Sequence, residues 1–111
     1  MAPSFHDREQ AFEAKYAHDQ EFRFLVTARR DKLMAGWAAD RHAMSASARE
    51  RLTQAVISTS DRLGHDRAVL DVISSTLAAY GNAPDEAELL AAMQLCVHRA
   101  ERELLEGSRP S

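Results

Sequence analysis

The stretch that decides the fold lies at the N-terminal end, where residues 5–30 read FHDREQAFEAKYAHDQEFRFLVTARR. No proline follows Pro3 before this stretch ends and no glycine precedes Gly36, so nothing in it stops a helix. Five of the seven aromatic residues of the chain lie here: Phe5, Phe12, Tyr16, Phe22 and Phe24. The first half has too few aliphatic residues to build a core. A segment that can be helical but cannot bury itself is a candidate for folding onto a partner.

We therefore expect residues 1–18 to form a mobile segment and a long first helix to follow it. Asp19 is a plausible N-cap, and the helix should end near Arg41 or His42. Apolar residues at helical spacing predict its buried stripe. This stripe consists of Phe22, Leu25, Val26, Leu33, Gly36 and Trp37.

A second helix is predicted from Ala48 to about Ser60. Ser47 and Glu50 have the spacing of a capping box, with Ser47 as the N-cap. The residues expected to face inward are Leu52, Ala55, Val56 and Thr59.

Two more helices follow, separated by the loop YGNAPDE. Gly64 is a natural helix stop, and Asp66 can cap a third helix that ends at Tyr80. Asp85 and Glu88 form a second possible capping box for a fourth helix, from about Glu86 to Glu106. The inward residues of the third helix are Val69, Leu70, Ile73, Leu77 and Tyr80, and those of the fourth are Leu89, Leu90, Met93, Cys96, Val97, Ala100 and Leu104.

These elements predict an all-α protein, a four-helix bundle with a long first helix and a mobile N-terminal segment. Residues 19–111 would form the bundle, as a single anchor domain, and residues 1–18 the flexible segment. At 111 residues the chain is long enough for one small core. No strand pattern appears in the sequence.

Composition excludes several classes of function. A net charge of −3 gives no positive field that would gather nucleic-acid phosphates. No nucleophile motif, P-loop or dinucleotide fingerprint is present, so we expect neither an enzyme nor a bound cofactor. Cys96 is the one cysteine; it is expected to be buried and excludes a disulfide within the chain, which suits a reducing cytosol. No apolar run is long enough to span a bilayer, so any membrane association should be indirect.

The histidines do not indicate a metal site. They are His6, His18, His42, His65 and His98. No pair has the spacing of zinc ligands on a helix, and no Cys-x-x-Cys accompanies them. We expect scattered surface histidines and no bound metal.

Two clusters allow both a structural and a functional interpretation. Arg29, Arg30 and Lys32 are either a solvated helix face or an anion or nucleotide contact, since guanidinium groups bind phosphate well. Phe5, Phe12 and Tyr16 would share one face of a helix, with Glu9 between them. That face would pack either on the protein's own bundle or in the groove of a partner.

The N-terminal third resembles the zeta-subunit family of alphaproteobacterial F-type ATP synthases, small proteins that inhibit ATP hydrolysis by the catalytic head. The positions that carry the resemblance are Phe5, Asp7, Arg8, Glu9, Phe12, Glu13, Lys15, Tyr16, Ala17, Ala28, Arg29, Arg30, Leu33, Trp37, Ala38 and Ala39. His6 replaces an acidic residue of the family pattern, Gln10 replaces a basic one, and Gly36 stands one place later than expected. Beyond residue 39 only length and helical pattern support the resemblance.

The resemblance implies a regulatory inhibitor located in the cytoplasm, peripheral to the membrane-bound ATP synthase. Residues 1–18 would become helical on entering the interface between catalytic and noncatalytic subunits of the head, and would block the rotary cycle in the hydrolysis direction. The implied apolar anchors are Phe5, Phe12 and Tyr16, and the residues that would fix the register through charge pairs are Arg8, Glu9, Glu13 and Lys15.

Two other classes of protein remain open at this point. One is a small helical module that senses adenine nucleotides, with its contacts around Arg29–Trp37. The other is a helical adaptor for a different complex. Shifts of backbone NMR signals on addition of ATP would distinguish the first of these from an inhibitor.

Overall fold

Four helices account for most of the chain. A computed structural model describes residues 5–59, 64–81 and 83–107, with side chains from residue 18 onward. The helices are α1 (Phe5–Arg41), α2 (Ala46–Ile57), α3 (His65–Ala79) and α4 (Glu86–Gly107), and these described residues contain no strand. Each described helix is too short or too polar to cross a lipid bilayer. The predicted all-α class and four-helix architecture are confirmed.

Helix α1 is the longest helix and packs against each of the other three. It has 37 residues, whereas α4 has 22, α3 has 15 and α2 has 12. At about 1.5 Å per residue α1 is roughly 55 Å long. It packs most extensively against α4 and α2, and less against α3. The molecule is accordingly elongated, with extents of 66, 35 and 24 Å along its principal axes.

The start of α1 differs from the prediction. The helix begins at Phe5, and Asp19 lies inside it, so the predicted N-cap at Asp19 is wrong. The physical reason is that no helix-breaking residue separates the two parts, and an acidic side chain is tolerated on an exposed helix face. That residues 1–18 move independently in the free protein stays a prediction, and residues 1–4 lie outside the described part.

The end of α1 uses a left-handed residue. Ala43 has φ 46°, in the region that usually favours glycine. The amide of Met44 donates to the carbonyl of Ala39 at 3.0 Å, which satisfies one of the last carbonyls of the helix. The predicted end of the helix at Arg41 or His42 is confirmed, since Arg41 is its last residue.

Helix α2 begins two residues earlier than predicted. Ser45 is the N-cap, and its Oγ accepts a hydrogen bond from the amide of Ala48 at 3.2 Å. Ser47 lies inside the first turn, so its predicted role as the cap is wrong. Glu50 does not close a capping box on Ser47; its carboxylate accepts from the side-chain amide of Gln54 at 3.0 Å. Ser45 is the cap instead of Ser47 because the turn that ends α1 places it immediately before the first helical residue, Ala46.

The starts of α3 and α4 also depend on their caps. Gly64, expected to stop a helix, is the N-cap of α3 with φ 91°, and Asp66 lies in the first turn instead of capping it. For α4 the predicted cap is confirmed, because Asp85 Oδ1 accepts from the amide of Glu88 at 2.8 Å. The Glu88 carboxylate does not return the bond and pairs with Arg41 of α1.

All four helices contribute to one core. Its buried members are Met34, Ala35, Ala38, Leu52, Val56, Val69, Leu70, Ile73, Leu77, Leu89, Ala92, Met93 and Cys96. In α2 to α4, three residues predicted to face inward are exposed: Ala55, Tyr80 and Leu90. Leu90 follows Leu89 by about 100° around the helix, and this rotation turns it away from the core that Leu89 contacts.

The buried face of α1 shares only Val26 with the predicted stripe. Its buried side chains are Val26, Arg30, Asp31, Met34, Ala35, Ala38 and Ala39. Leu25 is exposed, and Phe22, Leu33, Gly36 and Trp37 are half-buried at the edges of this face. Small alanines let neighbouring helices approach closely, and the larger apolar residues then pack at the rim.

Candidate functional site

The N-terminal half of α1 extends beyond the buried core. The first buried side chain in the described part of α1 is Val26, and of residues 18–25 only Phe22 is even half-buried. The 21 residues from Phe5 to Leu25 correspond to roughly 30 Å of helix at about 1.5 Å per residue. This part of α1 has the form of a projecting helix that a partner could bind.

The predicted inhibitory residues lie on this helix. They are Phe5, Arg8, Glu9, Phe12, Glu13, Lys15 and Tyr16. Their side chains lie outside the described residues, so their contacts stay predictions. The register of a continuous helix, at about 100° per residue, puts positions 5, 12 and 16 within roughly 40° of one another. These three positions therefore lie along one side of the helix backbone, as a common binding face would require.

The predicted cationic cluster does not form a single group. Arg30 and Asp31 are each 5 % exposed and lie on the buried face of α1. Arg30 donates from Nε and Nη2 to Asp31 Oδ1 at 3.1 and 2.8 Å, and its Nη1 lies 2.8 Å from Asp66 Oδ1. Burial by itself would lower the pKa of Arg30, but the hydrogen bonds and charges of Asp31 and Asp66 raise it. With two carboxylates beside it, this guanidinium is already compensated.

His65 completes the buried polar group. Its Nε2 lies 2.7 Å from Asp31 Oδ2, and its Nδ1 lies 3.2 Å from Thr59 Oγ1. Asp31 on α1 thereby contacts His65, the first residue of α3. Through His65 it is also linked to Thr59, two residues after the end of α2. Such a satisfied buried network sets the position of one helix relative to another. The sequence contained no signal for it, since Asp31 and His65 are 34 positions apart.

The expectation of scattered surface histidines is wrong for two of them. His65 binds Asp31, and His42 is half-buried with its ring 5.5 Å from that of Tyr80. His18 and His98 are exposed, and His6 lies among the side chains that the structure does not describe. Among the described residues, no three histidine, cysteine or acidic side chains are placed to hold a metal ion.

Of the other two cations of the cluster, Arg29 forms an ion pair with α4 and Lys32 does not. Arg29 Nη1 lies 3.1 Å from Glu103 Oε2, and Arg99 of α4 donates from Nε to Oε1 of the same carboxylate at 2.9 Å. The hydrogen bonds from Arg99 and Arg29 lower the pKa of Glu103. Lys32 is exposed and has no ion-pair partner among the described residues.

A groove of about 680 Å³ runs over the outer side of α1, between α2 and α4. Its lining includes Gly36 and Trp37 from α1 and four cationic side chains: Lys32, Arg41, Arg49 and Arg99. Arg49 is held by Asp40 at 2.6 Å and by the Gly36 carbonyl at 3.4 Å, and the Arg41 guanidinium lies 5.7 Å from the centre of the Trp37 ring. The groove therefore combines an aromatic surface with positive charge.

Cys96 lies at the wall of this groove but is not a reactive site. The residue is buried, as the sequence predicted. Burial raises the pKa of the Cys96 thiol, and the charges of Arg99 and Arg30 oppose this only in part. A thiol held in its neutral form is a poor nucleophile and a poor metal ligand.

Comparison with models of protein families identifies the family to which this chain is similar. A family model described as ATPase inhibitor subunit zeta matches residues 1–103. The match includes the projecting part of α1 and almost all of α4. No curated protein and no solved structure gives a significant match to this chain.

Proposed function

The chain belongs to the ATPase inhibitor subunit zeta family, and on this basis we propose that it inhibits ATP hydrolysis by the catalytic head of an F-type ATP synthase. The observation that supports this best is the length of α1. This helix begins at Phe5, although its first buried side chain in the described part is Val26. The protein would act as a regulatory subunit, without catalytic activity of its own, in the cytoplasm beside the membrane-bound enzyme.

In the proposed mechanism residues 1–18, which include the first part of α1, enter the interface between a catalytic and a noncatalytic subunit. Phe5, Phe12 and Tyr16 serve as apolar anchors on one face of the helix. The charged residues between and around them would pair with the walls of the interface: Arg8, Glu9, Glu13 and Lys15. The four-helix anchor, residues 19–111, remains outside. A helix held in this position blocks the closing and opening of the interface during hydrolysis.

Binding of the N-terminal segment alone does not supply enough free energy for this mechanism, so the anchor must contribute. Three buried aromatic side chains contribute on the order of 5–9 kcal/mol, at about 1.5–3 kcal/mol each. Ordering roughly sixteen residues from a mobile state costs about 1–2 kcal/mol each in backbone entropy. That cost is smaller for a segment that already favours the helix seen from Phe5 onward. Docking of the bundle would supply further affinity by raising the effective concentration of the N-terminal helix.

Deletion of residues 1–18 tests the proposal. Steady-state ATP hydrolysis by a purified alphaproteobacterial ATP synthase head is titrated with the full chain and with the truncated one. We expect the full chain to inhibit and the truncated chain to lose inhibition while its thermal unfolding stays cooperative. If the truncated chain inhibits as well as the full one, the N-terminal mechanism is wrong. If neither inhibits a cognate enzyme, the proposed function itself is wrong.

A single substitution tests the contribution of one proposed anchor to inhibition. Phe12→Ala should weaken inhibition most among changes in this segment, because Phe12 lies centrally between Phe5 and Tyr16, where water is most easily excluded. Phe24→Ala is the matched control, since Phe24 is an exposed aromatic residue of the same helix outside the segment. Equal effects of the two substitutions would contradict the proposed anchor.

Nucleotide sensing is the second candidate function, and the groove over Gly36 favours it. A volume of about 680 Å³ suits a small ligand. Trp37 offers a surface on which an adenine ring can stack, and Lys32 and Arg99 offer charge for phosphates. Backbone NMR of the full chain with and without ATP tests this: shifts concentrated between Arg29 and Trp37 support it, and unchanged spectra contradict it.

A further inference from the structure

One exposed surface of the bundle is both cationic and apolar, and it lies outside the inhibitory segment, residues 1–18. It consists of Leu25, Arg29 and Lys32 on α1 and Leu95 and Arg99 on α4; we call it the α1–α4 face. Lys32 and Leu33 line two adjoining grooves here, one of about 680 Å³ that reaches Leu95 and Arg99, the other of about 310 Å³ that reaches Leu25 and Arg29. The five residues therefore form one continuous surface.

This surface carries a net positive charge in a chain whose net charge is −3. Arg29 and Arg99 share one carboxylate, that of Glu103, and Lys32 has no ion-pair partner among the described residues. Three cations and one carboxylate leave two net positive charges. Because hydrogen bonds from Arg99 and Arg29 lower the pKa of Glu103, this carboxylate is ionised at neutral pH and already counted.

The same surface exposes apolar side chains next to the cations. Leu95 is 70 % exposed, the largest value among the big apolar residues of the described chain, and Leu25 is 43 % exposed. Each lies one helical turn before an arginine, Leu95 before Arg99 and Leu25 before Arg29. Singly exposed leucines are ordinary, but leucines that border two grooves and alternate with an excess of cations over carboxylates indicate a binding surface.

We propose that the α1–α4 face docks an acidic, amphipathic segment of the ATP synthase head, one that places carboxylates beside apolar side chains. This inference rests on the proposed function and identifies the surface by which the bundle anchors. Carboxylates would bind Lys32 and the partly compensated arginines, and apolar side chains would cover Leu25 and Leu95. A second copy of the same face does not fit, because like charges would meet. A small anion alone does not fit either, because it would leave the leucines in water.

The test separates anchoring from insertion. The full chain carrying Lys32→Glu and Leu95→Asp is compared with a control carrying Arg51→Glu and Leu90→Asp. Both double variants change the charge by the same amount, at exposed cationic and leucine positions, and Arg51 and Leu90 line neither groove of the face. Circular dichroism and thermal unfolding establish that both variants fold. The readout is inhibition of ATP hydrolysis as a function of inhibitor concentration.

We expect the face variant to need at least tenfold more protein for half-maximal inhibition, with inhibition at saturation unchanged, and the control to behave as wild type. Glu103→Gln removes the one carboxylate of the cluster, so it should reduce the concentration needed. Raising the salt concentration should weaken wild type more than the face variant, because surface charges are screened.

Other results would overturn the inference in distinguishable ways. If wild type inhibits and the face variant inhibits equally well at every concentration, the anchor lies elsewhere, although the proposed function stands. If the face variant loses ATP binding in NMR but keeps wild-type inhibition, the face serves a nucleotide. If wild type forms a dimer in light scattering and the face variant does not, the occupant is a second copy. If wild type fails to inhibit, the proposed function and this inference both fail.

Discussion

At the scale of single residues, Leu77 marks the centre of the core. It has no exposed surface and packs with Ile73, Val69 and the other buried members of the bundle. We predict that Leu77→Ala lowers the free energy of unfolding by about 2–5 kcal/mol, through lost burial and the cavity left behind. Leu90→Ala is the control, because Leu90 is 50 % exposed. Urea denaturation measures both; a loss below about half a kcal/mol for Leu77→Ala would contradict the assigned inner face of α3.

The stability of the fold should also depend on the buried ion pair of α1, formed by Arg30 and Asp31. Asp31→Asn removes the charge that compensates Arg30 and contacts His65. We predict a loss of about 3 kcal/mol in the free energy of unfolding, because a buried guanidinium is left with one exposed partner. Asp66→Asn is the control, since the Asp66 side chain is 65 % exposed.

A second comparison tests the physical reason for that loss. Replacing both members of the pair, Arg30→Met with Asp31→Leu, should cost less than Asp31→Asn alone, because no buried charge then remains. Denaturant titrations of the three variants provide the measurement. A double variant less stable than Asp31→Asn would show that the network acts through its shape and not through charge compensation.

At the scale of elements, the start of α2 tests which serine is the cap. Ser45 Oγ accepts from the amide of Ala48, whereas Ser47 lies inside the helix. We predict that Ser45→Ala lowers the free energy of unfolding by about 0.5–2 kcal/mol, the usual cost of losing an N-cap. Ser47→Ala should be nearly neutral or slightly stabilising, because alanine is the better helix former. Thermal unfolding of the two single variants decides between them, and the reverse order would restore the cap expected from the sequence.

At the scale of the whole molecule, α1 joins the projecting helix to the bundle without a break between Phe5 and Arg41. Glu21 lies on this connection, exposed and before Val26, the first buried residue among the side chains that the structure describes. We predict that Glu21→Pro leaves the melting temperature of the bundle unchanged. A proline inside a helix costs about 3 kcal/mol. If insertion needs a straight helix, this cost reduces the binding free energy of the inhibitor. Inhibition should then weaken roughly a hundredfold, because about 1.4 kcal/mol corresponds to a tenfold change in affinity.

Glu21→Ala is the control for this substitution, because it keeps the helix and removes the same charge. The measurement is again inhibition of ATP hydrolysis at increasing inhibitor concentration. If Glu21→Pro inhibits as strongly as wild type, the projecting helix works as a hinged segment, and its orientation does not depend on the bundle.

Much of this molecule could be predicted from the sequence because the information is local. Helical spacing and the glycines, prolines and serines between helices predicted four helices. The fourth was predicted to within one residue at each end. The inner face of α3 was correct at Val69, Leu70, Ile73 and Leu77. The N-terminal pattern also indicated the family, because that pattern is a run of neighbouring residues.

The tertiary structure alone decided which face of α1 is buried and how its charges are used. Alanines give weak signals of burial, yet Ala35 and Ala38 form the contact surface, since close helix packing favours small side chains. Arg30 and Lys32 look equivalent in the sequence, but one is compensated by Asp31 and Asp66 and the other faces solvent. Asp31 is the neighbour of Arg30 in the chain, but Asp66 lies on α3, 36 residues away. Only packing brings such groups together, so only packing could separate a structural cation from one available to a partner.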